Sequence, residues 1–151
     1  MENPDTSLSK YNLAFKGKVR NIYNYDDNKL LIYTSDRISA FDYVFNDEVK
    51  GKGLLLTKMA KFWFNKTRHI VSNHIANGDL DLPSNVRDNC MLVTKTKVLP
   101  IEAIVRGHLA GSAWNTYEAT QKINGIPVTK EYKRYDKFDA PIFTPSTKAK
   151  L

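Results

Sequence analysis

The sequence predicts an α+β fold, an antiparallel β-hairpin or sheet with packed helices, rather than a regular βαβ alternation. Three observations lead to this class. Two strand-like runs joined by a turn signal fill residues 15–34, apolar residues recur with helical spacing in residues 54–67, and two further apolar runs flank Pro100. With 42% apolar and 26% charged residues, the composition is that of one compact globular domain.

The first predicted element is a β-hairpin over residues 15–34. The run "FKGKVRNIYNY" alternates with an imperfect period of two, which is typical of a strand and would place Lys18 and Arg20 on one face. "NYDDN" supplies the turn, and "KLLIYTS" forms the second strand.

The next element is a helix that follows Gly51 and Gly53. Apolar residues at the i, i+4, i+7 and i+8 positions of "LLLTKMAKFWFNKT" predict one apolar helix face, which we expect to be buried core. This apolar stripe consists of Leu55, Met59, Phe62 and Trp63.

The remaining chain predicts a loop, two strands, a helix and an irregular tail. "HIANGDLDLPSN" has loop composition, and Pro100 separates the strand-like runs of "CMLVTKTKVLPIEAIVRG". A helix should start at Ser112, whose hydroxyl could cap it, and stop at Asn124-Gly125. "KFDAPIFTPSTKAKL" has two prolines and no periodicity.

Charge and cysteine content narrow the functional classes. The 23 Lys and Arg against 16 Asp and Glu give +7, which favours anionic partners, either phosphorylated metabolites or nucleic acid. Cys90 is the single cysteine, and "MENPDTSLSKYN" lacks the pattern of a signal peptide. Since no apolar run reaches membrane-spanning length, we expect a cytoplasmic protein that does not enter membranes.

Two segments hold candidate binding residues. Gly17 and Lys18 could contact a phosphate, or could belong to a solvated edge strand. Arg106 lies in an apolar run and therefore either pairs with an internal carboxylate or faces an anionic ligand, which "GHLAGS" could also contact through backbone N–H groups and Ser112. His108 is more typical of a capping or core histidine than of a catalytic one.

Five segments in order carry a family resemblance: "GKVRNIY", "TSDRISAFD", "GKGLLLTKMAKFWF", "IEAIVRGHLAGSAW" and "PIFTPSTKA". Together they closely resemble the phosphoribosylaminoimidazole-succinocarboxamide synthase (SAICAR synthetase) family over about residues 14–149. The resemblance implies a polar segment at residues 1–13 and a SAICAR synthetase-like domain at residues 14–151, similar to the family's kinase-like, ATP-binding N-terminal part.

The resemblance also implies an ATP- and magnesium-dependent ligase of purine biosynthesis, which joins L-aspartate to carboxyaminoimidazole ribonucleotide (CAIR). It implies catalytic roles for Arg106 and Asp36, and it assigns no magnesium ligand. Asp36, Arg37, Ser39 and Ala40, which on their own would indicate a capped surface loop, would then form the substrate-side loop. The implied nucleotide-binding residues are Gly17, Lys18, Arg20 and Glu102, and the implied substrate-binding residues are Arg37, Ser39, Ala40, Arg106 and Ser112.

The sequence departs from the family in ending at "PSTKAKL", where family members continue for roughly a further domain. It is therefore either a fragment or a short form, and either an active ligase or a catalytically impaired nucleotide-binding module. A nucleic-acid-binding domain has only the net charge in its favour. We expect a homo-oligomer, because the apolar tail "APIFTPSTKAKL" should pack on a neighbouring subunit or stay mobile.

Overall fold

The structure, a computed structural model, describes residues 4–128 and 130–147. Its elements confirm the predicted α+β class with antiparallel sheets. The described residues divide into two compact units, one ending at Lys97 and the other beginning at Val98.

The N-terminal unit is built on an antiparallel four-stranded sheet of order β1-β2-β3-β6. Strands β4 and β5 pair separately as a hairpin. The elements of this unit are α1 (Pro4–Leu8), β1 (Asn12–Lys16), β2 (Arg20–Asn24), β3 (Lys29–Thr34), β4 (Arg37–Ala40), β5 (Tyr43–Glu48), α2 (Lys52–Thr67), α3 (Ser84–Arg87) and β6 (Cys90–Thr94).

The predicted hairpin is present as β2 and β3, but its first strand is shorter than expected. The chain turns between Lys16 and Arg20, where the Gly17 N–H donates to the Arg20 carbonyl at 2.7 Å. A Cβ at Gly17 would lie 2.8 Å from that carbonyl oxygen, so the turn needs glycine. The prediction that Lys18 and Arg20 share one strand face is therefore wrong, because Lys18 lies in the turn.

The core of the N-terminal unit lies between the sheet, α1 and the segment around α3. Cys90 belongs to this core, and burial raises the pKa of its thiol to about 12. The buried core residues are Leu8, Tyr23, Leu31, Tyr33, Leu82, Val86 and Cys90.

Helix α2 packs on the sheet through its small residues. Gly53 and Thr57 are buried, and a Cβ at Gly53 would lie 2.2 Å from the Thr34 carbonyl oxygen. The large apolar residues face outward, with Leu55 59%, Met59 49%, Phe62 58% and Trp63 56% exposed. The prediction that this stripe is core is wrong, since the backbones approach too closely for large side chains on the covered side.

The C-terminal unit consists of short antiparallel pairs around α4. Its core residues are Leu109, Tyr117, Ile123 and Phe138. The elements are β7 (Ile101–Glu102), β8 (Val105–His108), α4 (Ser112–Thr120), β9 (Lys122–Ile123), β10 (Ile126–Pro127), β11 (Lys137–Phe143) and β12 (Ser146–Thr147).

Helix α4 begins at Ser112 as predicted, but it ends at Thr120 and makes no side-chain cap hydrogen bond. Asn124 and Gly125, with φ of 52° and 79°, instead form the turn between β9 and β10. An Asn-Gly pair favours such a hairpin turn, and here that preference decides the local structure.

The C-terminal segment is more regular than the sequence suggested. Strand β11 pairs with β8, and β12 pairs with β7. Most of residues 137–147 are therefore strand-paired within the chain rather than irregular, whereas the expectation that this segment packs on a neighbouring subunit stays a prediction. Residues 148–151 lie outside the described residues.

Candidate functional site

The turn between β1 and β2 carries Gly17 and Lys18 in the N-terminal unit. Lys18 is exposed, and its ammonium pairs with the exposed Asp42 carboxylate. This hydrogen bond and the lysine charge hold the pKa of Asp42 below its usual range. Arg20, also exposed, begins β2 opposite Thr34.

Arg37 connects this turn to the sheet. Its Nε donates to Ser35 Oγ at 2.9 Å, and its Nη2 donates to the Gly17 carbonyl at 3.3 Å and to Asn21 Oδ1 at 3.0 Å. Ser35 in turn donates to the Val19 carbonyl at 2.9 Å. Arg37 is half-buried, and these hydrogen bonds to neutral oxygens fix the turn.

Asp36 lies at the start of α2. Its Oδ2 accepts the Gly51 N–H and its Oδ1 accepts the Gly53 N–H, both at 2.8 Å. A carboxylate at this position satisfies free donors of the first helical turn and interacts favourably with the helix dipole. Asp36 therefore couples the loop that carries Arg37 to the orientation of α2.

Ser39 and Ala40 lie on β4 close to the tip of the hairpin. Ser39 pairs in register with Val44, and Ala40 with Tyr43. The tip residues Phe41 and Asp42 have φ of 49° and 66°. Two successive non-glycine residues with positive φ are strained, and such strain concentrates at functional sites.

The C-terminal unit contains the second group of candidates, centred on Arg106 of β8. Its Nε donates to Thr144 Oγ1 at 3.0 Å, its Nη1 to the Ala110 carbonyl at 3.4 Å, and its Nη2 to Ser112 Oγ at 3.2 Å. Within residues 4–128 and 130–147, no carboxylate forms an ion pair with Arg106. Of the two alternatives predicted for Arg106, pairing with an internal carboxylate is therefore not observed among the described residues.

Glu102 lies on the short β7 strand, where it pairs in register with Ser146. The structure thus joins two sets of predicted residues, each within its own unit. In the N-terminal unit, Gly17, Lys18, Arg20, Asp36, Arg37, Ser39 and Ala40 lie on the connected turn, loop and hairpin. In the C-terminal unit, Arg106 and Ser112 are in direct hydrogen-bond contact.

Thr144 was missed by the sequence reasoning. It is buried, and its hydroxyl accepts from Arg106 and donates to the Ile104 carbonyl at 3.4 Å. The signal was present, because Thr144 lies in "PIFTPSTKA", one of the segments that carry the family resemblance. Asn21 and Ser35, which hold Arg37, are buried polar residues that strand periodicity alone does not distinguish.

The described residues contain neither a cluster of metal-ligating side chains nor a membrane-spanning helix. No three of their His, Cys, Asp and Glu side chains are placed to hold a metal ion. The described residues therefore provide no self-contained magnesium site of three such ligands; magnesium is commonly held by one or two carboxylates together with substrate phosphates. None of the described helices is long and apolar enough to cross a membrane.

Comparison with known proteins places this geometry in a family. The family model for SAICAR synthetase matches residues 13–151. The phosphoribosylaminoimidazole-succinocarboxamide synthase of Geobacter sulfurreducens is 45% identical over 154 residues, and that of Methylobacillus flagellatus is 43% identical over 155 residues. Each alignment covers 97% of this chain and 52% of the relative, so the chain spans about half the length of the relatives it matches.

Solved structures give the same family. The SAICAR-synthase from Saccharomyces cerevisiae complexed with SAICAR has a TM-score of 0.84 and 38% identity, covering 91% of this chain and 51% of that one. A SAICAR synthetase in complex with ADP shares the fold, with a TM-score of 0.68 and 23% identity, covering 89% of this chain and 50% of that one. This chain belongs to the SAICAR synthetase family.

Proposed function

We propose that this chain takes part in the ATP-dependent ligation of L-aspartate to CAIR, giving SAICAR, ADP and phosphate in de novo purine biosynthesis. The observation that carries the proposal is the Arg106 guanidinium, which is half-buried and held only by neutral oxygens of the described residues. A cation held in this way is prepared for an anionic ligand. The names of the relatives give the product, and the family resemblance implies the substrates.

The proposed reaction has two steps. The CAIR carboxylate oxygen attacks the γ-phosphorus of ATP, the bond to the β,γ-bridging oxygen breaks, and an acyl phosphate and ADP form. The aspartate amine then attacks the acyl carbon, loses a proton and expels phosphate, leaving the amide. Because charge spreads over the transferring phosphoryl oxygens, fixed positive groups are the main contribution that a protein can make.

In the C-terminal unit, Arg106 and Ser112 are proposed to bind the ribotide. The planar guanidinium is fixed by Thr144, Ala110 and Ser112, so a bidentate anion would meet a donor that is already oriented. Ser112 begins α4, and the N-terminal end of this helix would interact favourably with the same anion. Glu102 is proposed to lie on the nucleotide side.

In the N-terminal unit, the turn at Gly17 and Lys18 is proposed to contact the ATP phosphates. Lys18 is paired with Asp42, and both side chains are exposed. Exposed ion pairs contribute little to stability, so a phosphate can replace Asp42 at low cost. Arg20 would add charge beside the turn, and Arg37, Ser39 and Ala40 would line the substrate side.

Asp36 is proposed as a catalytic residue by the family resemblance, and its hydrogen bonds suggest how it contributes. Both oxygens already accept backbone N–H groups at the start of α2. We propose that Asp36 fixes the loop holding Arg37, because each of its oxygens accepts a backbone N–H at the start of α2.

The proposal includes ATP and magnesium as reaction partners, a cytoplasmic location, and residues 14–151 as one SAICAR synthetase-like part. It also includes a homo-oligomer, for which the 56% exposed Phe143 is one uncovered apolar side chain. Size-exclusion chromatography with light scattering at micromolar concentration tests this point, and a monomer would exclude it.

The decisive experiment mixes the purified chain with ATP, magnesium, CAIR and L-aspartate, alone and with the second half of the Geobacter sulfurreducens relative. We expect ADP and SAICAR to form together in at least one of these mixtures. ATP binding by calorimetry without product would instead support the alternative, an impaired nucleotide-binding module. Absence of both binding and product would exclude the proposal.

Arg106→Lys tests the ribotide site separately. The ammonium cannot reproduce a bidentate fork, so CAIR binding should be lost while the thermal unfolding transition persists. Arg134→Lys is the matched control, because Arg134 is exposed and contacts the Tyr135 ring rather than any candidate residue. If both variants bind CAIR like the wild type, Arg106 does not hold the ribotide.

A further inference from the structure

The outward side of α2 is an unusual surface for a helix packed on a sheet. We call Leu55, Met59, Phe62 and Trp63 the α2 outer face; each is between 49% and 59% exposed. The Phe62 and Trp63 rings pack against each other with centroids 5.3 Å apart. A helix that buries one side and exposes four large apolar residues on the other is typical of a helix that is covered on both sides.

The surroundings of the α2 outer face are cationic. Lys58, Lys61 and Lys66 are exposed on the same helix, and α2 contains no Asp or Glu. An apolar centre bordered by lysines is complementary to an apolar surface bordered by carboxylates.

A second copy of this chain does not fit that description. A two-fold contact would place the α2 outer face against itself, and the lysines of one helix would face those of the other. Like charges brought together at an interface are costly. The occupant must therefore carry a different charge pattern.

The family provides a candidate of suitable size. Relatives that align with 97% of this chain continue for about as many residues again, since the aligned part is only 52% of their length. In these proteins, the rest of the polypeptide is covalently joined to the aligned half.

A cavity at the end of α2 gives a second, independent observation. It has a volume of about 480 Å³ and is lined in part by Phe64, Thr67, Val71 and His74. Among the described residues, His74 Nε2 is the buried side-chain polar atom without a hydrogen-bond partner. Unpaired buried polar atoms are costly, and a polar group entering this cavity from a partner would satisfy the ring nitrogen.

We propose that the α2 outer face is the docking surface for the second half of the family's chain, whether that half is continuous with this chain or a separate polypeptide. Its contacting surface has an apolar centre that covers Phe62 and Trp63 and a border of carboxylates that pair with the α2 lysines. A polar side chain beside it enters the cavity at His74.

The test uses the fluorescence of Trp63. The chain has two tryptophans, so Trp114→Phe leaves Trp63 as the single reporter. Acrylamide quenching is measured for this variant alone, mixed with the second half of the Geobacter sulfurreducens relative, and fused to that half in one polypeptide. We expect Trp63 to be quenched readily in the isolated chain and to become protected in the mixture or the fusion.

A substitution pair then locates the contact. Phe62→Glu should weaken binding of the second half by at least roughly thirtyfold, as expected for a central aromatic side chain. Val98→Glu introduces the same charge at a side chain that is 78% exposed and outside α2, and should change binding by less than about twofold. Lys58→Ala should reduce the dependence of the association rate on salt.

Four results would overturn the proposal. The first is that Trp63 stays open to acrylamide in both the mixture and the fusion, and the second is that Phe62→Glu and Val98→Glu weaken binding of the second half equally. The third is that Trp63 is already shielded from acrylamide in the monomeric chain. The fourth is that Trp63 is shielded by self-association of the chain and that Phe62→Glu abolishes this shielding. None of them depends on ATP, CAIR or turnover. A protected Trp63 without ligase activity would thus leave the docking surface supported and count only against the proposed function.

Discussion

The two sides of α2 differ in a way that reverses the usual pattern of a helix on a sheet. The covered side presents Gly53 and Thr57, with Thr57 Oγ1 donating to the Asn89 carbonyl at 3.2 Å. The open side presents Phe62 and Trp63. Close backbone approach, rather than side-chain hydrophobicity, therefore decides which side of this helix packs on the sheet.

Gly53→Ala should have the largest effect on stability, because it disrupts the packing of the covered side of α2 on the sheet. The added Cβ would lie 2.2 Å from the Thr34 carbonyl oxygen and 2.6 Å from Asn89 Nδ2, so the helix must move. We expect the free energy of unfolding to fall by about 3 kcal/mol, the upper range for overpacking. Urea denaturation followed by Trp63 fluorescence measures this loss.

Gly107→Ala is its control, because a Cβ there meets no atom within 4 Å. This variant should stay within about 1 kcal/mol of the wild type. Equal losses in both variants would show that close approach at Gly53 is not what fixes the helix.

Asp36→Ala should have the next largest effect, because it removes both acceptors at the start of α2. We expect a loss of about 2 kcal/mol, the upper range for a helix cap. Hydrogen exchange of the first α2 amides should accelerate, while β2 and β3 amides remain protected. Unchanged exchange at Gly53 would contradict the anchoring role of Asp36.

The buried thiol of Cys90 makes the stability of the protein depend on pH. Burial raises the pKa of its thiol from the ordinary value of 9.0 to about 12, so the folded protein binds this proton more tightly than the unfolded chain does. The contribution to stability is complete below the unfolded pKa and is lost as the pH rises through the folded pKa.

Between pH 8 and pH 10, wild-type stability should therefore fall by about 1.4 kcal/mol more than that of Cys90→Ala, whose side chain does not titrate. Urea denaturation at the two pH values gives this difference. Parallel losses in the two proteins would mean that the thiol is accessible to water in the folded state.

Phe62→Ser should have the smallest effect on the stability of the isolated chain, and it tests directly whether the open side of α2 is uncovered. Since Phe62 is 58% exposed, the free energy of unfolding should change by only about 0.5 kcal/mol or less. Thermal unfolding of the monomer measures this. A loss similar to that of Gly53→Ala would mean that Phe62 packs against the chain's own interior.

Much of the fold could be predicted because local patterns and turn residues act over short distances. The alternation before "NYDDN" indicated the hairpin of β2 and β3, and the apolar spacing after Gly53 indicated the helix α2. The pattern could not give the direction of the α2 outer face, because periodicity identifies one apolar side without saying what covers it. The direction of this face depends on the close approach of Gly53 to Thr34, two residues that lie on different elements and are not neighbours in the sequence.

The candidate site shows the same limit. Arg106 and Ser112 were selected from one sequence segment, and the structure joins them directly. Thr144, which completes the set of neutral partners, comes from a segment that had no predicted regular structure. Strand pairing between β8 and β11 brings it there, and such long-range pairing leaves no local signal.

The separation between Arg106 and Thr144 also has a consequence for the timing of synthesis. The two residues are 38 positions apart in the chain. At the rates of protein synthesis, roughly 2 to 8 seconds pass between the addition of Arg106 and that of Thr144. Ala110 and Ser112 follow Arg106 much sooner, so the guanidinium first meets the helix side of its surroundings and only later the β11 side. The proposed anion-binding geometry of Arg106 can thus be completed only late in the synthesis of its unit.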